Sequence, residues 1–180
     1  YNNKEVPVRG KGCTAQQLPH LKNKIKSYNE FANSDLEGIL GPRIKTALHY
    51  KVNQFKSGIF KNDGTGNFTF KPFSNHVQKS VINSIILDDI NGDNIKDLIL
   101  SGNNHMSEVE TTRADAGTGV FLEGNKKGNY DYIPNKSSGL FADKDVRNML
   151  ILDTKKGKLL LIINNNETHD LYTISKLPKK

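Results

Sequence analysis

The chain of 180 residues carries one pattern twice. Gly58-Ile59-Phe60-Lys61-Asn62-Asp63-Gly64-Thr65-Gly66-Asn67-Phe68-Thr69-Phe70-Lys71-Pro72 is matched by Gly119-Val120-Phe121-Leu122-Glu123-Gly124-Asn125-Lys126-Lys127-Gly128-Asn129-Tyr130-Asp131-Tyr132-Ile133-Pro134. Phe68 and Phe70 answer to Tyr130 and Tyr132, and Pro72 answers to Pro134. Further on, Val81-Ile82-Asn83-Ser84-Ile85-Ile86-Leu87-Asp88 resembles Val146-Arg147-Asn148-Met149-Leu150-Ile151-Leu152-Asp153. Each leads through a turn into a second apolar segment, residues 97–100 or 158–163. Short apolar runs separated by Asn, Asp and Gly clusters predict strands and hairpin turns. The offset is 62 residues at Phe68/Tyr130 and 65 at Val81/Val146. A multi-strand unit repeated at that scale points to a solenoid or a propeller. Four strands per unit match a propeller blade.

The strand pattern begins near residue 52, and what precedes it differs. Residues 1–17 are polar and are expected to be irregular. Leu18, Leu21, Ile25 and Tyr28 then fall at helical spacing. Ser27 with Glu30, and Ser34 with Glu37, have the capping-box spacing. Gly41-Pro42 is a helix stop. Two or three short helices are expected between Leu18 and Leu40. The predicted fold is therefore mostly β, with antiparallel propeller-type blades in about two repeats and a short helical N-terminal segment. The predicted divisions are a lead-in over 1–50, a first repeat over 51–118 and a second over 119–180. Two blades cannot close a ring that needs about four to eight, and open blades leave unpaired strand edges. The expectation is that the chain is the C-terminal part of a longer propeller protein or pairs with other subunits.

One loop carries a sharp chemical signal. Asp89-Ile90-Asn91-Gly92-Asp93-Asn94-Ile95-Lys96-Asp97 places side-chain oxygens at positions 1, 3, 5 and 9. A tight loop can turn these inward, because a Gly lets the backbone curl. Calcium takes six to eight hard oxygen ligands. Asp89, Asn91, Asp93 and Asp97 would supply side-chain oxygens and Ile95 its carbonyl. The first half copies the EF-hand calcium loop, but position 12 is Leu100 rather than Glu, and the flanks read as strands. Three carboxylates in nine residues repel one another without a cation; a solvated acidic turn is the alternative. Asp88 is expected to face away or to support the site from behind. The second repeat has Asp153-Thr154-Lys155-Lys156-Gly157-Lys158 at this place, so a metal-free basic hairpin is predicted there.

These residues resemble the FG-GAP/VCBS repeats of integrin-α-like β-propellers in secreted and surface proteins. The loop at 89–98 is similar to the Asp-x-Asp/Asn-Gly-Asp-Gly-x-x-Asp-Leu pattern of that family, with Asn94 where Gly is usual. Asn62-Asp63-Gly64-Thr65-Gly66-Asn67-Phe68 is similar to the turn between such loops. The resemblance covers roughly residues 55–165. Pro7-Val8-Arg9-Gly10-Lys11-Gly12-Cys13-Thr14-Ala15-Gln16-Gln17-Leu18-Pro19 and Arg113-Ala114-Asp115-Ala116 resemble segments near the C-terminus of long VCBS-repeat proteins of Bacteroidetes-type bacteria. The resemblance implies a protein of the extracellular or outer-membrane surface, a largely structural calcium ion, and binding partners that dock elsewhere on the propeller.

Other classes find less in the sequence. The net charge of +7 could suit nucleic acid. The basic residues, however, fall in scattered groups: Lys22/Lys24/Lys26, Lys126/Lys127, Lys155/Lys156/Lys158 and Lys179/Lys180. A nucleic-acid-binding domain is thus an alternative reading, and no nucleic acid is expected as partner. His20, His49, His76, His105 and His169 share no metal-ligand spacing, and no Gly-x-Ser-x-Gly, P-loop or His-Glu-x-x-His occurs. Cys13 is alone, so an internal disulfide is excluded. Glu108 and Glu110 would suit glycoside hydrolysis only if they converged. A module of a polysaccharide-active enzyme is the other alternative, but no enzyme is expected. No apolar run reaches membrane-spanning length. The polar segment 101–118 is long for a loop, and such loops are often functional. Arg113 and Asp115 within it are the candidates for contact with a protein or glycan.

Overall fold

A computed structural model describes residues 3–109 and 111–175. Glu110, Lys179 and Lys180, named above, lie outside the described residues. The chain divides into two units, residues 1–53 and 54–180.

In the first unit, short helices form wherever a local cap is available. They are α1 (Lys11–Gln17), α2 (Leu21–Lys24), α3 (Tyr28–Ala32) and α4 (Leu36–Leu40). Three of them fall where two or three were expected. α1 lies in a stretch expected to be irregular, because Gly10, Gly12 and the run of polar residues hide its single buried side chain, Ala15. The Ser27 hydroxyl accepts from the Glu30 N–H at 3.0 Å, and the Glu30 carboxylate accepts from the Lys26 N–H at 2.8 Å. The second cap is Asp35 rather than Ser34: its carboxylate accepts from the Gly38 N–H at 2.8 Å. Ser34 instead donates to the Glu30 carbonyl at 2.8 Å. Gly41 ends α4 with φ of 61°, a conformation that glycine adopts without Cβ strain. Lys24 then caps the helix end, its ammonium donating to the Gly38 and Ile39 carbonyls at 2.7 and 2.8 Å. Ala15, Leu21, Ile25, Phe31 and Ile39 make the core of this unit. Tyr28 does not join it. The chain turns extended at Ile25, which breaks the helical spacing, and Tyr28 is exposed with Lys11 over its ring.

The second unit is antiparallel β-sheet. Among the described residues there are nine strands in three sheets. β1 (Gly58–Asn62) and β2 (Phe68–Pro72) form a hairpin. β3 (Ser84–Asp88), β4 (Asp97–Ser101), β5 (Val120–Gly124) and β6 (Tyr130–Ile133) form a four-stranded meander. β7 (Val146–Thr154), β8 (Gly157–Asn164) and β9 (Asp170–Thr173) form a three-stranded one. The four-stranded sheet therefore runs across residues 118 and 119.

Period-two alternation sorts the side chains. On β4 and β5, Leu98, Leu100 and Leu122 face one way and are covered by Val77 with Phe73 and Ile82. Ile99 and Phe121 face the other way. They meet Val146 and Met149 of β7 and Leu160 and Ile162 of β8 between the two larger sheets. Truncating Phe121 to Ala here would cost roughly 3–5 kcal/mol, and Ile162 to Ala roughly 2–5 kcal/mol. The hairpins β1–β2 and β5–β6 close with the same hydrogen bonds. Asp63 and Asn125 each accept from the N–H groups two and four residues on, and each pairs its own N–H with the carbonyl of Asn67 or Asn129. A single helical turn, α5 (Asn135–Ser138), follows β6. The Asn135 amide donates to the Thr118, Gly119 and Leu140 carbonyls.

Candidate metal centre

The loop from 89 to 97 joins β3 to β4, whose register closes with Asp88 opposite Asp97. Its turn needs two residues in the left-handed region: Gly92 at φ of 81° and Asn94 at 67°. Asn tolerates that conformation, so the departure from Gly at 94 leaves the turn intact.

The oxygens of the loop hold its shape. Asp89 accepts from the N–H groups of Gly92, Asp93 and Asn94 at 2.8, 3.1 and 3.0 Å. Asn91 Oδ1 accepts from the Asp93 N–H at 2.9 Å, and Asp93 Oδ1 from the Ile95 N–H at 2.8 Å. Asp97 is fully buried. Its Oδ2 accepts from the Ile90 and Asn91 N–H groups at 3.0 and 3.3 Å, and its Oδ1 from the Gly124 N–H at 2.9 Å. Burial pushes Asp89 upward, but the three N–H donors outweigh it and hold the carboxyl below its usual range. For Asp97 burial wins over its three donors, and the nearby Asp93 charge adds to it, so that carboxyl is raised.

Two contacts to the loop come from the neighbouring strand. Asn91 Nδ2 donates to Glu123 Oε1 at 2.9 Å. Gly124 sits so close that a Cβ would lie 2.1 Å from the Lys96 carbonyl. The sequence reading missed both, because β5 lies more than twenty residues away and only the sheet brings it near. A glycine ending an apolar strand pattern was the available signal.

Asp88, just before the loop, accepts from the Asp89 N–H at 2.9 Å. Its carboxylate receives the Lys158 ammonium from β8, and Lys96 at 3.1 Å. The hydrogen bond from Lys158, with Lys96 second, lowers its pKa to about 2. In the other hairpin Lys155 and Lys156 make a short turn, closed by Thr154 Oγ1 donating to the Gly157 carbonyl at 2.7 Å.

Among the described residues, no three His, Cys, Asp or Glu side chains converge as a metal-holding group. The donor set of the loop is nonetheless hard oxygen: three carboxylates, the Asn91 amide and the Ile95 carbonyl, with Glu123 beside them. That is calcium chemistry rather than zinc or copper chemistry. A carboxylate offers about four acceptor positions. Three are taken in Asp89 and three in Asp97, so each keeps room for one cation contact. The donor set therefore fits calcium in kind.

The long segment after β4 is closed by the pairing of Asn104 with Ala114. Arg113 Nε and Asp115 Oδ2 are 2.7 Å apart and exposed. Each is the other's partner. The anchor of this segment was not foreseen: the buried Asn103 amide donates to the Gly117, Asp143 and Lys144 carbonyls and accepts from the Gly117 N–H.

No helix among the described residues is long and apolar enough to cross a membrane. Comparison of the chain with family models, with curated proteins and with solved structures gives no match.

Proposed function

We propose that this chain is a calcium-stabilised segment of a β-propeller, of the FG-GAP/VCBS kind, that serves as a binding or scaffolding module for a protein or glycan at a cell surface and catalyses no reaction. The observation that carries the reading is the loop at 89–97. Its two flanking carboxylates are wrapped by six backbone N–H bonds and belong to a set of five oxygen donors that matches calcium in hardness, with water completing the shell. The buried, raised Asp97 supports it, since a nearby cation offsets the cost of ionising that carboxyl.

Propeller blades are the reading we favour for the two larger sheets. Both are antiparallel meanders, and they pack face to face through Ile99, Phe121, Met149 and Ile162. The ring would be completed by further blades of a longer chain or by other subunits. Exposed Ile85, Leu87, Phe60, Phe68 and Leu171 support that completion. An extracellular or outer-membrane location rests on the family resemblance alone. The polar segment 101–118, with Arg113 and Asp115, is the proposed surface for the partner.

The test is thermal unfolding in millimolar calcium and in chelator, for the wild type and for Asp93→Ala. A ligand that binds only the folded state stabilises by about 2.7 kcal/mol at a hundred times its Kd, a shift of several degrees. The expected result is a calcium-dependent rise in Tm that Asp93→Ala abolishes. Identical melting in calcium and chelator would remove the metal from the proposal.

A further inference from the structure

β9 stands at the edge of its sheet. Among the described residues it pairs with β8 on one side and with no strand on the other. The Ile174 N–H donates to the Lys158 carbonyl at 2.9 Å, which sets the phase of the ladder. In an antiparallel pair, alternate residues direct both backbone groups at the partner strand. Asp170 and Tyr172 therefore face Ile162 and Leu160 of β8. The N–H and C=O of Leu171 and Thr173 point outward, where no described residue bonds to them. The four-stranded sheet has β6 in the corresponding place, beside β5. The sheet of β7, β8 and β9 is one strand short.

Open edges are normally blunted by lysine, proline, bulges or cover. The other edges here are. β1 carries Lys61, and β2 carries Lys71 and Pro72. β6 has the Phe73 and His76 rings against Tyr130 and Tyr132. β7 is bulged between Val146 and Asn148 and is held by the start of β3: the Met149 N–H donates to Ser84 Oγ at 2.9 Å, and the Val146 carbonyl accepts from Asn83 Nδ2 at 2.8 Å. β9 has none of these devices. Leu171 and Thr173 are exposed and uncharged, and the charge of Asp170 is taken by Lys144 at 2.6 Å.

We propose that β9 is a dimerisation edge, which pairs antiparallel with β9 of a second copy of this chain across a two-fold axis. The edge is complementary to itself. With Tyr172 on the axis, Leu171 of each copy meets Thr173 of the other, and each such pair exchanges both of its N–H···O bonds. No like charges meet, because Asp170 falls opposite Ile174. The side chains agree with this register. On the outer face Leu150, Leu161 and Leu171 stand in one cross-strand row, and Leu152, Leu159 and Thr173 in the next. Leu150, Leu152 and Leu171 are exposed. Pairing joins each row to the other row of the second copy, so apolar cross-strand contact runs through both sheets. On the inner face Tyr172 meets its mate beside a cavity of about 280 Å³, lined by Ile90, Ile99, Phe121, Leu160 and Ile174 together with Tyr172. An apolar cavity of about 150 Å³ already takes a benzene ring, so this one has room for a ring of the second copy. The pairing needs no metal, so it stands or falls separately from the calcium loop.

Sedimentation equilibrium of the full chain, over a concentration series through the micromolar range, tests the edge. The wild type should pass from the mass of one chain to that of two. Thr173→Pro removes the outward N–H from both copies and should raise the dimer Kd about thirtyfold, the loss of two backbone bonds. Proline is tolerated there because that N–H makes no bond within the chain. Leu171→Lys changes only an exposed side chain and should raise the Kd about tenfold or more. Phe68→Lys, on the separate hairpin, should leave it unchanged. Circular dichroism checks that each variant is folded, and Leu171→Lys decides if Thr173→Pro is not. A wild type that stays at the mass of one chain throughout would overturn the proposal. So would a dimer that Leu171→Lys leaves intact or that Phe68→Lys dissolves.

Discussion

β3–β4 and β7–β8 are the same antiparallel hairpin with different connections. The first spends eight residues, 89–96, on its loop; the second spends Lys155 and Lys156. Asp88 ends β3 and pairs with Asp97, whereas Asp153 stands one residue before the end of β7 and pairs with Lys158. The strands owe nothing to this choice: Ile86 and Ile99 bury as Met149, Leu160 and Ile162 do, into one shared core. The short turn shows that two residues suffice to reverse the chain. The long acidic loop is thus not needed to reverse the chain.

The largest expected difference between the hairpins lies at the residue of the returning strand that faces the Asp of the first strand. Asp97→Ala strands three N–H donors, of the part-buried Ile90 and Asn91 and the buried Gly124, and should cost about 3 kcal/mol in urea unfolding. Lys158→Ala, at the matching place, removes a half-exposed ion pair and should cost under about 1 kcal/mol. Equal costs would break the comparison. Next in size is a loop exchange, in which residues 89–96 give way to a two-residue turn copied from Lys155-Lys156. The sheet should still form by circular dichroism, while the calcium-dependent gain of about 2.7 kcal/mol at a hundred times Kd disappears. A transplanted protein that fails to fold without the loop would show that the loop is structural in itself.

How far the sequence carried this picture depended on the range of the interaction. Alternation of Ile, Leu and aromatic residues was enough to place β1 to β8. The turns at 62–67 and 123–129 were legible because Asn, Asp and Gly bond to their own backbone. β9 was not anticipated, since Asp170-Leu171-Tyr172-Thr173 has too few alternations to stand out. In the first unit, caps written within three residues were readable, but Ser34 and Asp35 compete for one helix end and the carboxylate won. At the site, the five loop residues were named from spacing alone. Glu123, Gly124 and the pairing of Asp88 with Lys158 were not, because they depend on which strand lies next to which. The buried amides of Asn103 and Asn135 were equally silent: nothing local distinguishes an Asn that staples three carbonyls from one that faces water.

The smallest expected effect joins the two hairpins. Asp88 of the first receives the Lys158 ammonium of the second, and its pKa lies at about 2 against a usual value of 3.8. The unfolded chain therefore takes up the proton first on acidification. The stabilising contribution of this pair is complete above about pH 4 and is lost as the pH falls toward 2. With both partners partly exposed, solvent and salt screening reduce it to about 1 kcal/mol. Asp88→Asn should therefore lower stability by that amount at pH 7 and by much less near pH 2, measured by urea midpoints with chelator present so that calcium does not enter. Added salt should shrink the difference at pH 7. If the loss in Asp88→Asn were the same at both pH values, the lysine of the second hairpin would not be acting as the counter-charge beside the acidic loop, and the two hairpins would be coupled through their apolar faces alone.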